Sequence, residues 1–256
     1  PPRSTLFPYT TLFRSTAGTY DLILISQVFF RTGQVFGGID ALARLARPEG
    51  PWVVVDGYHG FMATPTDLSA VADRIFYVAG GYKYAMSGEG AGFLHAPAGF
   101  CPRPVITGWF AEFGDLEGPP GGVQYRTDAG RFWGATLEAT PFYRFNAVRR
   151  MLDEAGLTTA DVARHAGEMM QAFQSAVQGG EAGRLDRAEL LNPIDSGSAR
   201  ARFLAFRHPE AQTWRKRLLD SHVVTDVRDD VIRFGFGLYQ DAEDVRRLIT
   251  TCARVL

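Results

Sequence analysis

Lysine is scarce in this sequence. The 256-residue chain has 27 basic residues, but only Lys83 and Lys216 are lysines and the rest are arginines. A lysine can lose its proton when buried and condense with a carbonyl to form a Schiff base, whereas an arginine stays protonated. Lys83 lies in the glycine-rich stretch GGYKYAMSGEG at residues 80–90. It is therefore the first candidate for a chemical role.

Cysteine and excess charge of either sign are also lacking. Two cysteines far apart in the chain provide no disulfide framework and fit a reducing compartment. The net charge of −1 excludes the strongly basic surface that nucleic acid and membrane partners require. A hydrophobic content of 46% suffices for a substantial core. We therefore expect a cytoplasmic protein that binds neither nucleic acid nor a membrane.

Two polar residues follow apolar segments that are typical of neighbouring strands. Residues 51–56 end on Asp56, and residues 75–79 lead into the turn that carries Lys83, with an acidic short helix expected at residues 67–73. Parallel strands would place both residues at one edge of the sheet, where open α/β sheets bind ligands. Either feature alone is equally well explained by fold and solubility. Together, a Schiff-base lysine and a carboxylate for a pyridinium nitrogen indicate pyridoxal phosphate chemistry.

The remaining pattern predicts an α/β fold. It consists of a partial large domain with a mainly parallel sheet and a small C-terminal α+β domain. The Gly- and Pro-rich residues 101–130 are expected to form a long active-site loop. Strands are expected at residues 20–26, 51–56, 75–79, 92–95, 202–207 and 231–236, and helices at residues 38–46, 141–155, 160–178, 210–221 and 241–255.

From about Tyr20 onward, the sequence resembles a known enzyme family. The specific segments are DGYH (56–59), YKY (82–84), GEGAGFLH (88–95), GWF (108–110), DVR (226–228), IRF (232–234) and LY (238–239). They are similar to the pyridoxal-phosphate enzymes of fold type I, in the aminotransferase class V superfamily, and most closely to its kynureninase branch. The resemblance implies pyridoxal 5'-phosphate as the cofactor, an amino acid as the substrate and a homodimer as the assembly.

The resemblance also implies roles for individual residues around the cofactor. Lys83 would form the Schiff base, Asp56 would bond the pyridinium N–H, and His59 would support Asp56 and the ring. Tyr82 would reach the cofactor phosphate. An aspartate at the ring nitrogen keeps that nitrogen protonated and so lets the ring accept charge from a carbanion. Once a substrate amine displaces Lys83, its amine becomes a base beside the α-carbon.

Three further residues are implied to act on the phosphate and the substrate. Trp109 resembles the family's tryptophan near the phosphate of the neighbouring subunit, and Thr136 would bond the phosphate of a partner subunit. Arg233 resembles the clamp for the substrate α-carboxylate, a role that suits the planar fork of arginine. From spacing alone, Arg233 fits a surface strand arginine better than a ligand clamp, and the family resemblance reverses that preference. Arg228, flanked by aspartates, is expected to be an ion-paired loop residue.

The chain departs from the kynureninase pattern at two places. Gly60-Phe61-Met62 stands where the branch has Gly-Asn, and residues 134–137 (GATL) stand where it has Asn-Pro-Pro. The predicted reaction is hydrolytic or lyase-type C–C cleavage of an amino acid. The alternatives are an aminotransferase, a cysteine desulfurase-like enzyme and a non-catalytic homologue. Cys101 and Cys252 do not occupy the position of a desulfurase thiol and are interpreted as incidental.

Two other site chemistries find less support in the sequence. His59, His95 and Asp56 could ligate a metal, but no cysteine or third histidine joins them at ligand spacing. The Gly88-x-Gly90-x-Gly92 pattern leads into an apolar strand instead of opening a helix, which argues against a dinucleotide site. We therefore predict no metal and no dinucleotide.

The sequence is expected to divide into three segments. Residues 1–15 (PPRSTLFPYTTLFRS) do not continue the family pattern and resemble translated sequencing-adapter sequence, so the genuine sequence is expected to start near Thr16. Residues 16–140 would be the C-terminal part of the large domain, and residues 141–256 a linking helix and the small domain. Such a fragment is expected to be inactive by itself.

Overall fold

The computed structural model describes residues 20–114, 117–118, 121–194 and 201–256. The leader predicted at residues 1–15 lies outside these residues. The chain divides into two compact units. The first contains the described residues through Gln27 together with Phe36–Tyr58 and Asp67–Ala147. The second contains Val28–Val35, His59–Thr66 and Val148–Leu256.

The first unit is built on a four-stranded sheet in the order β1-β2-β3-β4. Its strands are β1 (Leu22–Ser26), β2 (Trp52–Asp56), β3 (Ile75–Gly80) and β4 (Gly92–His95). β1, β2 and β3 run parallel, whereas β4 pairs with β3 in the antiparallel direction. The helix α1 (Ile39–Ala43) lies between β1 and β2 in the chain. A strand, a helix and a parallel strand in succession form a βαβ unit.

Burial in this sheet increases from its edge to its centre. Val53 and Val55 of β2 are fully buried, and five of the six residues of β3 are buried. β-branched and aromatic residues fit this central position because they pack well on a pleated surface. Leu22 and Leu24 of the edge strand β1 are 52% and 65% exposed. The first unit therefore presents apolar surface along β1.

The second unit has an antiparallel sheet in the order β5-β6-β8-β7. Its strands are β5 (Glu189–Leu190), β6 (Phe203–Arg207), β7 (Asp226–Arg228) and β8 (Val231–Gly235). Leu204, Phe206, Ile232 and Phe234 point from one face into a large core with Trp214. Residues in alternate positions of the same strands point to the opposite face, as the period of two requires. There, Phe203, Ala205 and Val231 pack with Val28 and Ala201.

The helices are observed close to their predicted positions. They are α2 (Thr140–Glu154), α3 (Thr159–Gln178), α4 (Ala211–Asp220) and α5 (Ala242–Val255). The predicted cap Asp241 is confirmed, because its side chain accepts hydrogen bonds from the backbone N–H groups of Glu243 and Asp244. α3 begins with the same kind of capping box, formed by Thr158 and Asp161. No helix within the described ranges is long and apolar enough to cross a membrane.

Two local predictions differ from the structure. The helix expected at residues 67–73 is wrong, because this stretch consists of turns. The Asp67 carboxylate accepts a hydrogen bond from the Ser69 N–H at 2.9 Å, and such a local side-chain bond competes with helix formation. Residues 101–130 form the expected long connection, but they contain two short 3-10 helices, Trp109–Glu112 and Ala129–Phe132.

Candidate active site

Asp56 is the last residue of the central strand β2, and neutral donors hold its carboxylate. The Ser26 hydroxyl donates to Oδ2 at 3.2 Å, and the Tyr58 backbone N–H donates to Oδ1 at 3.0 Å. Ser26 lies directly opposite Asp56 in the parallel register. These two hydrogen bonds orient the carboxylate at the end of β2, as a partner for a pyridinium N–H requires.

The pKa of Tyr77 depends in part on the charge of Asp56. The Tyr77 hydroxyl donates to the Gln27 side chain at 2.9 Å within the buried centre of the sheet. Burial, and secondly the negative charge of Asp56, raise the pKa of Tyr77 to about 12. Tyr77 consequently stays neutral at physiological pH. It contributes a hydrogen bond to the end of the sheet and no competing charge.

Lys83 lies in a closed turn three residues after β3. The Gly81 N–H donates to the Ala91 carbonyl at 2.6 Å, and the Ser87 N–H donates to the Gly81 carbonyl at 2.9 Å. A Cβ on Gly81 would lie 1.9 Å from Ser87 Oγ, so the turn requires glycine there. Because β2 and β3 are parallel neighbours, Asp56 at the end of β2 and Lys83 after the end of β3 lie toward the same edge of the sheet.

Aromatic rings line this edge beside Lys83. Its Nζ lies 4.9 Å from the centre of the Tyr82 ring, and the Tyr82 and Tyr58 rings are 5.6 Å apart. Tyr82 is 43% exposed. The four residues Asp56, Tyr58, Tyr82 and Lys83 thus surround one end of the first sheet. A flat, anionic aromatic ligand matches their chemistry.

Trp109 belongs to an exposed aromatic cluster in the first unit. Its ring contacts Phe110 and Phe113 at centroid distances of 5.3 and 5.7 Å, and Phe110 contacts Trp133 at 5.5 Å. Trp109 is 51% exposed. Thr136 is also exposed and lies in the irregular segment before α2. Both side chains are therefore accessible, and the roles predicted for them across a subunit interface stay predictions.

His59 and Arg233 lie in the second unit. The His59 ring stacks on Phe30 at a centroid distance of 6.5 Å and an interplanar angle of 27°. The Arg233 guanidinium donates from Nη1 to the Phe30 carbonyl and forms an ion pair with Asp226. Phe30 therefore contacts both residues, which the structure brings together. The predicted support of Asp56 by His59 stays a prediction.

Four residues around these candidates escaped prediction. Ser26 and Gln27 act through the parallel register, which pattern alone does not specify. Asp226 was noted only as a neighbour of Arg228, with which it forms an ion pair at 2.8 Å, although Arg228 lies in strand β7 and not in a loop. The buried Arg131 donates to the carbonyls of Pro97, Phe100, Cys101 and Asp128. No local motif marks such an arginine.

Other site types have little basis in the described parts of the chain. Within these residues, no group of three His, Cys, Asp or Glu side chains is placed to hold a metal ion. A cleft of about 610 Å³ in the second unit is lined by residues such as His222, Tyr239 and Arg247, and by none of the predicted site residues. Cys252 is fully buried, and burial raises the pKa of its thiol to about 12. Cys252 is therefore unsuited to nucleophilic chemistry.

Comparison with known proteins connects the second unit to one family. Residues 162–252 match the family model of the kynureninase C-terminal domain. The matched segment contains Asp226 and Arg233. It begins well after Asp56 and Lys83, so it does not include them. No curated protein matches the sequence.

Solved structures resemble almost the whole chain. A cysteine desulfurase from Thermococcus onnurineus aligns with a TM-score of 0.74 and 16% identity, covering 96% of this chain and 62% of that one. The cysteine desulfurase CsdA from Escherichia coli aligns with a TM-score of 0.73 and 17% identity, covering 100% of this chain and 64% of that one. An alanine–glyoxylate aminotransferase from Nostoc aligns with a TM-score of 0.64 and 15% identity, covering 98% of this chain and 65% of that one.

These alignments identify the fold. The chain has the fold of the pyridoxal-phosphate enzymes of fold type I, as predicted, with part of the large domain and a C-terminal α+β unit. It spans less than two thirds of the length of the structures that it matches. At these identities the alignments carry the fold and not the reaction.

Proposed function

We propose that this chain is part of a pyridoxal-phosphate enzyme that cleaves a C–C bond in an amino acid by hydrolysis, as kynureninases do. The observation that carries the proposal is the position of Asp56 at the end of β2 and of Lys83 just beyond the end of the adjacent parallel strand β3. The kynureninase C-terminal match favours this reaction over the other reactions of the fold. Any activity is proposed for the whole protein.

The residues at the first sheet fit the cofactor. Pyridoxal phosphate, when bound, would act as an electron sink for charge at the substrate α-carbon. Lys83 would hold it covalently, and Asp56, oriented by Ser26 and the Tyr58 N–H, would bond its ring nitrogen. Tyr82 would reach its phosphate. Each of these side chains is at least partly accessible at the sheet end.

Lys83 is also proposed as the base that moves protons at the substrate α-carbon. Its Nζ lies 4.9 Å from the centre of the Tyr82 ring, at the sheet end where the substrate would bind. His59, Trp109 and Thr136 keep the roles proposed from the family resemblance. The homodimer and the cytoplasmic location also stay predictions.

Arg233 is proposed to bind the substrate α-carboxylate. Its side chain is 12% exposed, and its guanidinium lies 5.2 Å from the centre of the Phe203 ring. A partly buried, stacked guanidinium offers a planar pair of donors with limited hydration, which suits a carboxylate. This low exposure supports a binding role for Arg233 over that of a surface strand arginine.

Product analysis tests the reaction. L-Kynurenine is incubated with the whole protein to which this chain belongs, loaded with pyridoxal phosphate, and hydrolysis is expected to release equal amounts of L-alanine and 2-aminobenzoate. Lys83→Ala should abolish product release. The matched variant Lys216→Ala, which replaces an exposed lysine on α4, should retain it. Sulfide from L-cysteine would instead indicate a desulfurase. Amino transfer to a keto acid would indicate an aminotransferase, and a loaded protein without turnover a non-catalytic homologue.

A further inference from the structure

The guanidinium of Arg233 is held on three sides. Its Nη1 donates to the Phe30 carbonyl, its Nη2 pairs with the Asp226 carboxylate, and Phe203 lies under its plane. Phe203 is two residues from Ala205, the direct partner of Arg233 in β6, and so occupies the diagonal position on the same face. The orientation of the guanidinium is therefore set by three different elements of the second unit.

Asp226 reaches Arg233 because the sheet register places them opposite each other. Asp226 of β7 pairs with Arg233 of β8, and directly opposed side chains on one face are close neighbours. The same carboxylate uses its other oxygen to accept a hydrogen bond from Arg228 at 2.8 Å. Asp226 thus bridges two arginines, with one oxygen for each.

The charges of this arginine–aspartate–arginine group are not balanced. Asp226 carries one negative charge, and Arg228 and Arg233 carry two positive charges. A carboxylate that bonded Arg233 alone would neutralise it and weaken its attraction for an anionic ligand. Because Arg228 offsets the charge of Asp226, the group keeps a net charge of +1. Asp226 can therefore orient Arg233 without cancelling its affinity for a carboxylate.

We propose that Asp226 is a positioning residue for carboxylate recognition, and that Arg228 is its charge-balancing partner. This inference rests on the proposed function, in which Arg233 binds the substrate α-carboxylate. Asp226 holds the guanidinium in the plane that receives the ligand, so less side-chain freedom is lost on binding. Arg228 acts only through Asp226 and touches no ligand.

A carboxylate probe tests the inference without requiring the cofactor. Sodium acetate is titrated into ¹⁵N-arginine-labelled protein, and its dissociation constant is read from the side-chain N–H resonance of Arg233, assigned with Arg233→Lys. Asp226→Ala is expected to weaken acetate binding by about tenfold, because the guanidinium loses its orientation. Asp226→Asn should cost less than about threefold, because its amide oxygen can accept the same hydrogen bond.

Matched variants separate positioning from charge and from stability. Asp229→Asn removes a carboxylate from the adjacent turn, where it is 77% exposed, and should leave acetate binding unchanged. Arg228→Gln should weaken binding by about threefold, because Asp226 then neutralises Arg233. The matched variant Arg246→Gln removes an arginine that pairs with Glu243 on α5. It should leave acetate binding unchanged. Circular dichroism melting of each variant monitors folding.

Each outcome bears on the inference. Wild-type affinity in Asp226→Ala, or a loss in Asp226→Asn as large as in Asp226→Ala, would overturn the positioning role and leave Arg233 as the clamp. An absence of saturable acetate binding in the wild-type protein and in Asp226→Asn would overturn both the inference and the proposed role of Arg233. Acetate binding that appears only in Asp226→Asn would show that Asp226 blocks the ligand, which contradicts positioning.

Discussion

At the residue scale, the end of β2 carries a carboxylate that neutral donors orient. Asp56 accepts hydrogen bonds from Ser26 and the Tyr58 N–H, while Tyr77 is kept neutral in the same sheet. A charged group is costly to bury in a protein interior, and hydrogen bonds to it offset part of that cost. Asp56 therefore has the physical character of a ligand-binding carboxylate.

The titration of Tyr77 should report the charge of Asp56. Asp56→Asn is expected to lower the pKa of Tyr77 below about 12 but not to its ordinary value, because burial is the larger cause of its elevation. NMR of ¹³C-labelled tyrosine across alkaline pH measures the change. Ser26→Ala, which keeps the carboxylate, is the control. An unchanged Tyr77 titration in Asp56→Asn would contradict the electrostatic contact.

Alkaline unfolding should follow from the same elevation. Tyr77 has a higher pKa when folded than the ordinary value of 10.0, so its contribution to stability is complete below that pH. It is lost as pH rises from about 10 to about 12. Tyr77→Phe should therefore reduce the steepness of the stability loss over this range in urea unfolding. An equally steep loss in Tyr77→Phe would assign it to other groups.

Ser87 and Gly81 should respond in opposite directions to alanine. Ser87 Oγ is buried and has no hydrogen-bond partner among the described residues, so Ser87→Ala should raise the free energy of unfolding by about 1 kcal/mol. Gly81→Ala should lower it, because the new Cβ would meet Ser87 Oγ at 1.9 Å. The double variant should recover part of the loss in urea unfolding. Strict additivity would refute the contact.

The residue types of the site could be predicted from the sequence, but their partners could not. A single lysine in a glycine-rich turn and an aspartate at a strand end are local features. Ser26 reaches Asp56 through the parallel register, and Asp226 reaches Arg233 through the antiparallel register. Register depends on tertiary packing, which no short pattern in one sequence specifies.

At the element scale, helices with strong caps were the most predictable parts of the chain. α3 and α5 each begin with a capping box, and both were predicted to within one residue. The stretch at residues 67–73 has acidic residues but its aspartate bonds locally, so turns replaced the expected helix. The position of the long connection after β4 could be predicted from the sequence, but its conformation could not. That conformation depends on the hydrogen bonds of Arg131 to distant backbone carbonyls.

The cap of α3 should make the second unit sensitive to acid. Bonds from Thr158, and then the ion pair with Arg164, hold the pKa of Asp161 well below its usual range. Its stabilisation is therefore complete above the unfolded pKa of about 4 and is lost as pH falls below it. Asp161→Asn should be less stable than wild type at pH 7 in urea unfolding, and the difference should shrink in acid.

The exposed Glu168 provides the control for this cap. It lies on the same helix, so Glu168→Gln removes one carboxylate without touching the capping box. This variant should behave as the wild type at both pH values. A gap between Asp161→Asn and wild type that grows in acid would mean that the sign of the linkage is wrong.

Arg131 should hold the connection between β4 and α2 together. Its buried guanidinium donates to four backbone carbonyls within residues 97–128. Arg131→Met would leave these carbonyls without their donor and should cost about 3 kcal/mol or more. Hydrogen exchange across residues 97–133 should accelerate. Arg131→Lys keeps a single point charge, so its hydrogen-exchange rate should fall between those of the wild type and Arg131→Met. Unchanged exchange in Arg131→Met would contradict the role of Arg131.

At the scale of the whole molecule, the predicted site residues belong to two units, each described by itself. The first carries Asp56, Tyr82, Lys83, Trp109 and Thr136, and the second carries His59 and Arg233. The α/β class followed from alternating strand and helix patterns, and the fold is confirmed by the solved structures. The assignment of residues 28–35 and 59–66 to the second unit could not be predicted, because it depends on packing between distant segments.

The central claim is that Lys83 binds pyridoxal phosphate covalently. The protein is incubated with pyridoxal phosphate, reduced with borohydride and digested, and the labelled peptide is identified by mass spectrometry. Because the chain has only two lysines, the result is unambiguous. The account predicts a pyridoxyl group on Lys83 that disappears when Asp56 and Lys83 are both replaced and persists in Lys216→Ala. Labelling of Lys216 in place of Lys83, or no labelling at all, would contradict it.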